Sequence, residues 1–116
     1  MPMLRYPSIT VTPFVEPFDG GAASLVRHEF RHHIKYGRRL HVIDLDQLDA
    51  ASSAVFRSLI IALRTAREAG GDVKVVTSRP GMRRALALTG LARVFRVHAS
   101  VRDAVIAFRE QPRLAS

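Results

Sequence analysis

Three observations predict a single α/β domain built on a mostly parallel β-sheet with helices packed on it. The chain has 116 residues, which is enough for one hydrophobic core. Its content of 47% hydrophobic and 24% charged residues is that of an ordinary globular protein. Short apolar runs alternate with stretches of helical periodicity along the whole chain, and such alternation forms right-handed crossover units. We expect one domain over residues 1–116, with an ordered core of about 8–109 and a frayed tail over 110–116.

Four short segments predict the strands of this sheet. Residues 9–15 are rich in β-branched side chains and are interrupted by Pro13, so this strand is expected at an edge of the sheet. The apolar runs 40–45 and 73–77 are expected to be buried strands, and residues 94–97 the last one.

Four segments with helical periodicity follow the strands. Helices are expected over about residues 22–36 and 53–69, from 78 to near 90, and from Ser100 onward. Glycines after the first two predict their C-terminal caps. The side chains expected on the inward faces are Leu25, Val26, Phe30 and Ile34, then Phe56, Leu59, Ile60, Leu63 and Ala66, then Ala85 and Leu86, and finally Val101, Ala104, Val105 and Phe108.

The composition excludes several classes of function. The absence of cysteine rules out disulfides, thiolate metal sites and a cysteine nucleophile. The longest apolar stretch, residues 58–63, is far too short to span a bilayer, and the N-terminus lacks the apolar segment of a signal peptide. A cytoplasmic protein is therefore expected. Because no phosphate-cradling glycine loop and no catalytic triad pattern is present, we expect neither an enzyme nor a cofactor.

The chain carries a formal net charge of +8, and sixteen of its eighteen basic residues are arginine. Such a charge is compatible with nucleic acid, an anionic membrane surface or an acidic protein partner. The arginines are spread over several predicted elements, and no RNA-binding or helix-turn-helix motif accompanies them. A solvated arginine-rich surface is the favoured interpretation. Binding of nucleic acid or anionic lipid through Arg79, Arg83 and Arg84 stays open as an alternative.

Residues 42–71, VIDLDQLDAASSAVFRSLIIALRTAREAGG, resemble the central strand, loop and helix of STAS domains. In that family a strand like VLDL is followed by about six loop residues, a DSSGL sequence and a helix that ends in a run like AREAGG. Residues 78–108 resemble the second half of the family, in which a helix ends in LxxTGL and is followed by VF and the final helix. The sequence at 16–19 also resembles the family's GELD. The resemblance covers nearly the whole chain and implies a STAS fold.

STAS domains of this size are typically anti-sigma-factor antagonists. In those proteins an anti-sigma kinase phosphorylates the serine after the motif's aspartate, and the unphosphorylated form captures that kinase. This serine corresponds to Ser53, whereas Ser52 replaces the aspartate, Ala54 the second serine and Val55 the glycine. The resemblance thus implies a bacterial regulatory module that binds an anti-sigma kinase. The Ser53-Ala54 pair is also similar to STAS subunits of bacterial lipid-transport ABC systems, which would make an ABC ATPase the partner.

The loop between the second strand and the second helix is the expected partner surface, because loops at strand ends carry function. From its position at the start of a helix, the Ser53 hydroxyl is expected to cap free N–H groups, and a phosphate there would be favourable. A purely capping role for both serines remains the alternative. Val55 is expected to project an apolar contact, so that Val55→Asp would weaken partner binding without changing the thermal midpoint. The expected phosphorylation site is Ser53, with Ser52 as the alternative. The expected partner-binding residues are Asp46, Gln47, Asp49, Ser52, Ser53, Ala54 and Val55.

Two carboxylates, Asp44 and Asp46, flank the end of the second strand, where α/β sheets tend to bind ligands. The favoured interpretation is that a carboxylate here holds a neighbouring backbone group or an arginine.

Residues 28–32, HEFRH, match the HExxH pattern of zinc peptidases, in which two histidines share a helical face and the glutamate activates a metal-bound water. The context argues against a metal site here. Arg31 lies between the two histidines, no third ligand is evident, and His28 and His32 lie off the apolar stripe of the predicted helix.

We predict that the HExxH sequence has no zinc chemistry. Elemental analysis of protein purified without nickel should find far less than one equivalent of zinc. A tightly bound equivalent that is lost in the His28→Ala variant would contradict this prediction.

Overall fold

The computed structural model describes residues 9–110, and within them four strands alternate with five helices. Residues 1–8 and 111–116, which include the first residue of the expected ordered core and most of the expected frayed tail, lie outside the described part. The strands are β1 (Ile9–Pro13), β2 (Leu40–Asp44), β3 (Asp72–Val76) and β4 (Val97–His98). The helices are α1 (Gly20–Lys35), α2 (Ser53–Glu68), α3 (Pro80–Leu88), α4 (Leu91–Val94) and α5 (Val101–Arg109).

All four strands are parallel and are ordered β1-β2-β3-β4 in space. Leu40 of β2 pairs with Ile9 on one side and with Asp72 on the other. On the far side of β3, Val97 pairs with Val75. The predicted parallel α/β architecture and the predicted edge position of the first strand are therefore confirmed.

The sheet is covered on both faces, so alternate residues of the central strands enter two separate cores. Ile43 and Val75 point into the larger core, which includes side chains of α1, α2, α3 and α4. Val42 and Val76 point to the other face, where Ala104 and Phe108 of α5 cover them. Burial on both faces explains why β2 is an uninterrupted apolar run and not an alternating one.

Helix α2 ends at Gly70 and Gly71, as the sequence predicts. Gly70 has a φ of +81°, and its N–H donates to the carbonyl of Arg67 at 3.0 Å. The N–H of Gly71 donates to the carbonyl of Ala66 at 2.8 Å, which completes a Schellman motif. A Cβ at Gly71 would overlap the carbonyl oxygen of Arg39, so the chain enters β3 here only with glycine.

The predicted position of the last strand, residues 94–97, is wrong, because β4 is Val97–His98. Gly90, with a φ of +81°, ends α3 and lets the chain turn into the short helix α4. Phe95 then enters the larger core, and strand pairing begins only at Val97.

Two side chains expected on inward helix faces are exposed instead: Leu25 is 60% and Ile60 43% accessible. Each is the chain neighbour of a residue that does face the core, Val26 or Leu59, and adjacent residues on a helix point about 100° apart. The apolar stripes are therefore narrower than the sequence suggested. The other expected inward side chains are buried or half-buried.

His41, in β2, is a fully buried titratable group between the sheet and α1. Its Nε2 donates to the carbonyl oxygen of Arg38 at 2.8 Å, and its ring centroid lies 4.1 Å from that of Phe30. Burial lowers the pKa of His41 from 6.5 to about 4, because the charged imidazolium loses its hydration. The hydrogen bond to Arg38 acts in the opposite direction, and the nearby His33 adds a smaller lowering effect.

The pKa of His41 predicts a loss of stability in mild acid. Because the folded-state pKa is below the ordinary value of 6.5, protons favour the unfolded chain. The stability is complete above that value and is lost as the pH falls from 6.5 toward 4. Between about pH 7.5 and about pH 5, His41 should remove about 2 kcal/mol from the free energy of unfolding. Urea titrations at several pH values measure this change.

Two variants control that measurement. His41→Gln retains a donor for the Arg38 carbonyl but does not titrate, so its stability should fall less over this pH range. His28→Gln, at an exposed position of α1, should keep the wild-type profile. A His41→Gln profile parallel to that of the wild type would show that another group is responsible.

Candidate functional site

The loops that follow β2 and β3 lie side by side, because the carboxyl ends of parallel strands share one edge of the sheet. The carboxylate of Asp46 joins them. Its Oδ1 accepts the Ser78 N–H at 2.7 Å, and its Oδ2 accepts the Ser78 hydroxyl at 3.0 Å. Asp44 in turn accepts the N–H of Asp46 at 3.0 Å. Both aspartates thus hold neighbouring backbone, as the favoured interpretation of this strand end predicts.

Arg79 extends this connection to the loop before α2. Its Nε donates to the Asp46 carbonyl at 2.9 Å, and its Nη1 lies 3.9 Å from Asp49 Oδ1. The Asp49 N–H donates to the carboxylate of Glu16 at 3.0 Å. Arg79 is therefore engaged in holding the loop, which removes it from the basic surface considered in the sequence.

The pKa of Asp46 is lowered by these contacts. Burial alone would raise it, but hydrogen bonds from the Ser78 N–H, the Ser78 hydroxyl and Thr77 outweigh burial, and the charge of Arg79 acts in the same direction. The carboxylate is thus ionised at neutral pH and acts as a hydrogen-bond acceptor that fixes the relative position of the two loops.

Helix α2 starts at the end of this loop, and its two serines have different roles. Ser52 is the N-cap: its backbone is extended and its Oγ accepts the N–H of Val55 at 3.2 Å. Ser53 is the first helical residue, and its side chain is exposed. The expectation that the Ser53 hydroxyl caps the helix is wrong, because the extended residue that precedes the first turn is Ser52.

Val55 was expected on the partner surface, and the structure contradicts this. Its side chain is only 1% accessible and belongs to the larger core, together with Leu48 and Leu59. The third residue of α2 faces the sheet, and Leu59, one turn later, lies on the same side. Ala54 is half-buried, whereas Gln47, Asp49, Ser52 and Ser53 are exposed and Asp46 is half-buried.

Sequence reasoning missed Ser78 and Glu16 as parts of this site. Ser78 lies 32 residues beyond Asp46, and Glu16 lies 33 residues before Asp49. Ser78 had a signal, since a polar residue at the carboxyl end of the strand next to β2 is expected to meet the loop after β2. Nothing in the sequence around Glu16 pointed to its contact.

The HExxH sequence lies on the outer surface of α1, where His28, Glu29 and His32 are all exposed. The His32 ring packs on Tyr36, with centroids 4.8 Å apart. Within residues 9–110, no three His, Asp or Glu side chains are placed together to hold a metal ion. The same residues contain no helix long and apolar enough to cross a bilayer.

The family of the chain follows from comparison with known sequences. The family model of the STAS domain matches residues 1–104. The chain belongs to the STAS domain family. No curated protein sequence gives a significant match.

Solved structures share the STAS fold of this chain at low sequence identity. The Thermotoga maritima protein TM1081 is 17% identical and has a TM-score of 0.79, with 96% of this chain and 92% of that chain covered. An anti-sigma factor antagonist from Mycobacterium paratuberculosis is 23% identical, with a TM-score of 0.77 and coverage of 91% and 90%. The phosphorylated form of the Bacillus cell fate determinant SpoIIAA is 17% identical, with a TM-score of 0.70 and coverage of 90% and 94%.

The different burial of Ser53 and Val55 gives a matched test of the site geometry. Val55→Asp places an unpaired carboxylate in the core and should lower the free energy of unfolding by at least about 3 kcal/mol. Ser53→Asp adds the same charge two residues earlier, at an exposed helix N-terminus, and should change it by less than about 1 kcal/mol. Thermal unfolding of the two variants and the wild type measures the difference. Similar midpoints for both variants would mean that Val55 is not a core residue.

Proposed function

We propose that this STAS domain is an anti-sigma-factor antagonist that captures an anti-sigma kinase and is released when that kinase phosphorylates Ser53. The family membership and two of the structural neighbours support this role, since one is an anti-sigma factor antagonist and another is a phosphorylated SpoIIAA. In this proposal the chain is a bacterial transcription regulator that binds a protein partner in the cytoplasm and does no chemistry itself.

The observation that carries the proposal is that Ser52 caps helix α2 while Ser53 is exposed. Ser52 occupies the position of the family's aspartate, and serine and aspartate are comparably good N-cap residues. The helix is thus capped without any contribution from Ser53. The exposed Ser53 hydroxyl can accept a phosphoryl group without the loss of a hydrogen bond on which the fold depends.

A phosphate on Ser53 would lie in a favourable electrostatic position within the domain. It adds roughly −1.5 to −2 charges at the positive end of α2. In the described residues the N–H groups of Ser53 and Ala54 have no hydrogen-bond partner, so they are free to face the phosphate. Arg57, one turn later and exposed, follows Ser53 at the spacing of helical ion pairs. The domain therefore tolerates the modification, and its effect falls on the bound partner.

The partner surface in this proposal consists of the exposed side chains around Ser53, namely Gln47, Asp49 and Ser52, with the half-buried Asp46 and Ala54 at its border. The hydrogen bonds of Asp46 with Ser78 and Arg79 hold this loop in one conformation before a partner arrives. Preorganisation of this kind lowers the entropic cost of binding. A kinase docked against it would meet the new charge directly.

A second candidate function rests on the pair Ser53-Ala54, a hydroxyl followed by a methyl group. This pair is also similar to STAS subunits of lipid-transport ABC systems, for which the partner is an ATPase. The two functions differ in phosphorylation: an ABC subunit would bind its partner without any phosphate on Ser53.

Binding of Ser53 variants to a partner isolated from the native host tests the proposal. Ser53→Asp should keep the fold and lower affinity for the partner at least about tenfold, which requires about 1.4 kcal/mol of repulsion or lost contact. Ser53→Ala should bind like the wild type and resist the kinase. Ser52→Asp should speed phosphorylation, if a carboxylate at that position helps to orient the hydroxyl. Mass spectrometry of protein from the host identifies the modified residue.

Ser24→Asp is the matched control, since it adds the same charge at an exposed serine of α1 and should leave partner binding unchanged. Equal affinities of wild type, Ser53→Ala and Ser53→Asp, with no phosphate on Ser53 or Ser52, would contradict the kinase switch. The ABC-subunit function would then become the leading candidate.

A further inference from the structure

Lys74 differs from the other basic residues of the chain, because its side chain lies inside the protein. Only two of the eighteen basic residues are lysines, Lys35 and Lys74. Lys35 is exposed at the end of α1, whereas Lys74, in β3, is 2% accessible. An arginine stays protonated in proteins, but a buried lysine can lose its proton. Within residues 9–110, the one buried Lys or Arg side chain is thus a residue that can become a neutral amine.

The amine of Lys74 has an aromatic ring beside it and no acidic partner. Its Nζ lies 4.8 Å from the centroid of the Phe108 ring, and no carboxylate of the described residues lies within ion-pair distance. A buried ammonium group without a counter-charge is costly, so its surroundings favour the neutral form. Burial is the main cause of the lowered pKa of Lys74; Asp72 acts against it, and Arg96 lowers the pKa further.

Lys74 lines an open depression of about 620 Å³ beside the first part of β3. Strand β4 begins only at Val97, opposite Val75, so no strand of the described residues fills this space. The arginines around the depression come from α2, α3, α4 and the segment before β4, and they are Arg67, Arg83, Arg93 and Arg96. The depression gives a small reactant a path from solvent to the lysine.

The positive charges around the depression are largely uncompensated. Asp72 is the only acidic lining residue in the described part of the chain, and its Oδ1 already lies 3.6 Å from Nε of Arg67. Within residues 9–110 neither Arg83, Arg93 nor Arg96 forms an ion pair, and all three are exposed. An anion formed on Lys74 would therefore find guanidinium groups that can bind it.

We propose that Lys74 binds carbon dioxide as a carbamate. The lone pair of the neutral amine attacks the carbon of CO₂ and forms a C–N bond. One C=O double bond of CO₂ becomes a single bond as its electron pair moves to the oxygen, and the amine proton passes to water. The product is a carboxylate-like anion on Nζ, which suits the charge-assisted hydrogen bonds of arginine.

The burial of Lys74 selects the reactant. An enzyme that acylates lysine needs the amine on the surface, whereas CO₂ is small and uncharged and can enter the depression without losing a strong hydration shell. The reaction changes the charge of the side chain from +1 to −1. The effect reaches β4, because the positive charge of Lys74 is, after burial, the next cause of the lowered pKa of His98. Lys74 thus forms a CO₂-responsive switch of local charge.

Carbon-13 NMR of the full chain in ¹³C-labelled bicarbonate, equilibrated with CO₂ at neutral pH, tests the proposal. A carbamate resonance should rise to saturation at one site per chain. Trapping of the carbamate by O-alkylation and tandem mass spectrometry then assign it to Lys74, to Lys35 or to the α-amino group. Lys74 should carry at least about tenfold more carbamate than Lys35, because its pKa is lowered and arginines surround it.

Two pairs of variants sharpen the test. Lys74→Met should abolish the assigned resonance, whereas Lys35→Met, the control at the other lysine, should retain it. Arg96→Gln should lower the apparent affinity for CO₂ roughly tenfold, the loss expected when one charge-assisted pair disappears. Arg84→Gln removes the same charge at an exposed position outside the depression and should change the affinity less than about twofold.

Three results would overturn the proposal: no carbamate on Lys74 in the folded wild type, equal amounts on Lys74 and Lys35, or unchanged affinity in Arg96→Gln. The assignment by mass spectrometry uses the wild type, so it holds even if Lys74→Met fails to fold. Thermal unfolding in the same buffer confirms that each variant is folded. Because no partner and no kinase enter the experiment, its result is independent of the phosphorylation test, and Ser53→Asp should leave the carbamate unchanged.

Discussion

Parallel strands cannot be joined by tight turns, and this constraint decides where every functional group of the domain lies. Each strand of the sheet is connected to the next by one or two helices that cross a face of the sheet. All loops that lead from strand to helix therefore meet at one edge, and all segments that return from helix to strand meet at the other. The first edge holds the Asp46–Ser78 contact and Ser53. The second holds the Arg67–Asp72 ion pair at the start of β3.

Features that depend on neighbouring residues could be predicted from the sequence. The burial of β2 on both faces followed from its apolar run, and the ends of α1 and α2 followed from Gly37 and Gly70. Contacts between distant residues could not be predicted in this way. Asp46 and Ser78 are 32 residues apart. The arginines look scattered along the chain because they come from different elements, and only the three-dimensional fold brings Arg67, Arg83, Arg93 and Arg96 around one depression beside β3.

The start of α2 shows how a shift of one residue changes the chemistry of a site. Two consecutive serines are both suitable N-cap residues, and only the extended backbone of Ser52 distinguishes the cap from the first helical residue. The burial of Val55, in contrast, could have been predicted from the sequence. Val55 precedes Leu59 by four residues, and this spacing places both on one helix face. The expectation of an exposed Val55 came instead from its alignment with a glycine, which has no side chain to place.

The outer edge of β1 has a consequence for self-association. The N–H of Phe14 donates to Asp44 of β2 at 2.9 Å, and main-chain groups alternate in direction along a strand. The main-chain N–H and C=O groups of Thr10 and Thr12 therefore also point toward β2. The main-chain groups of Ile9, Val11 and Pro13 point away from the sheet. Proline has no N–H, so a second copy that added a fifth strand here would find two main-chain donors instead of three. Pro13 thus weakens the edge at which sheets of this kind would otherwise join into aggregates.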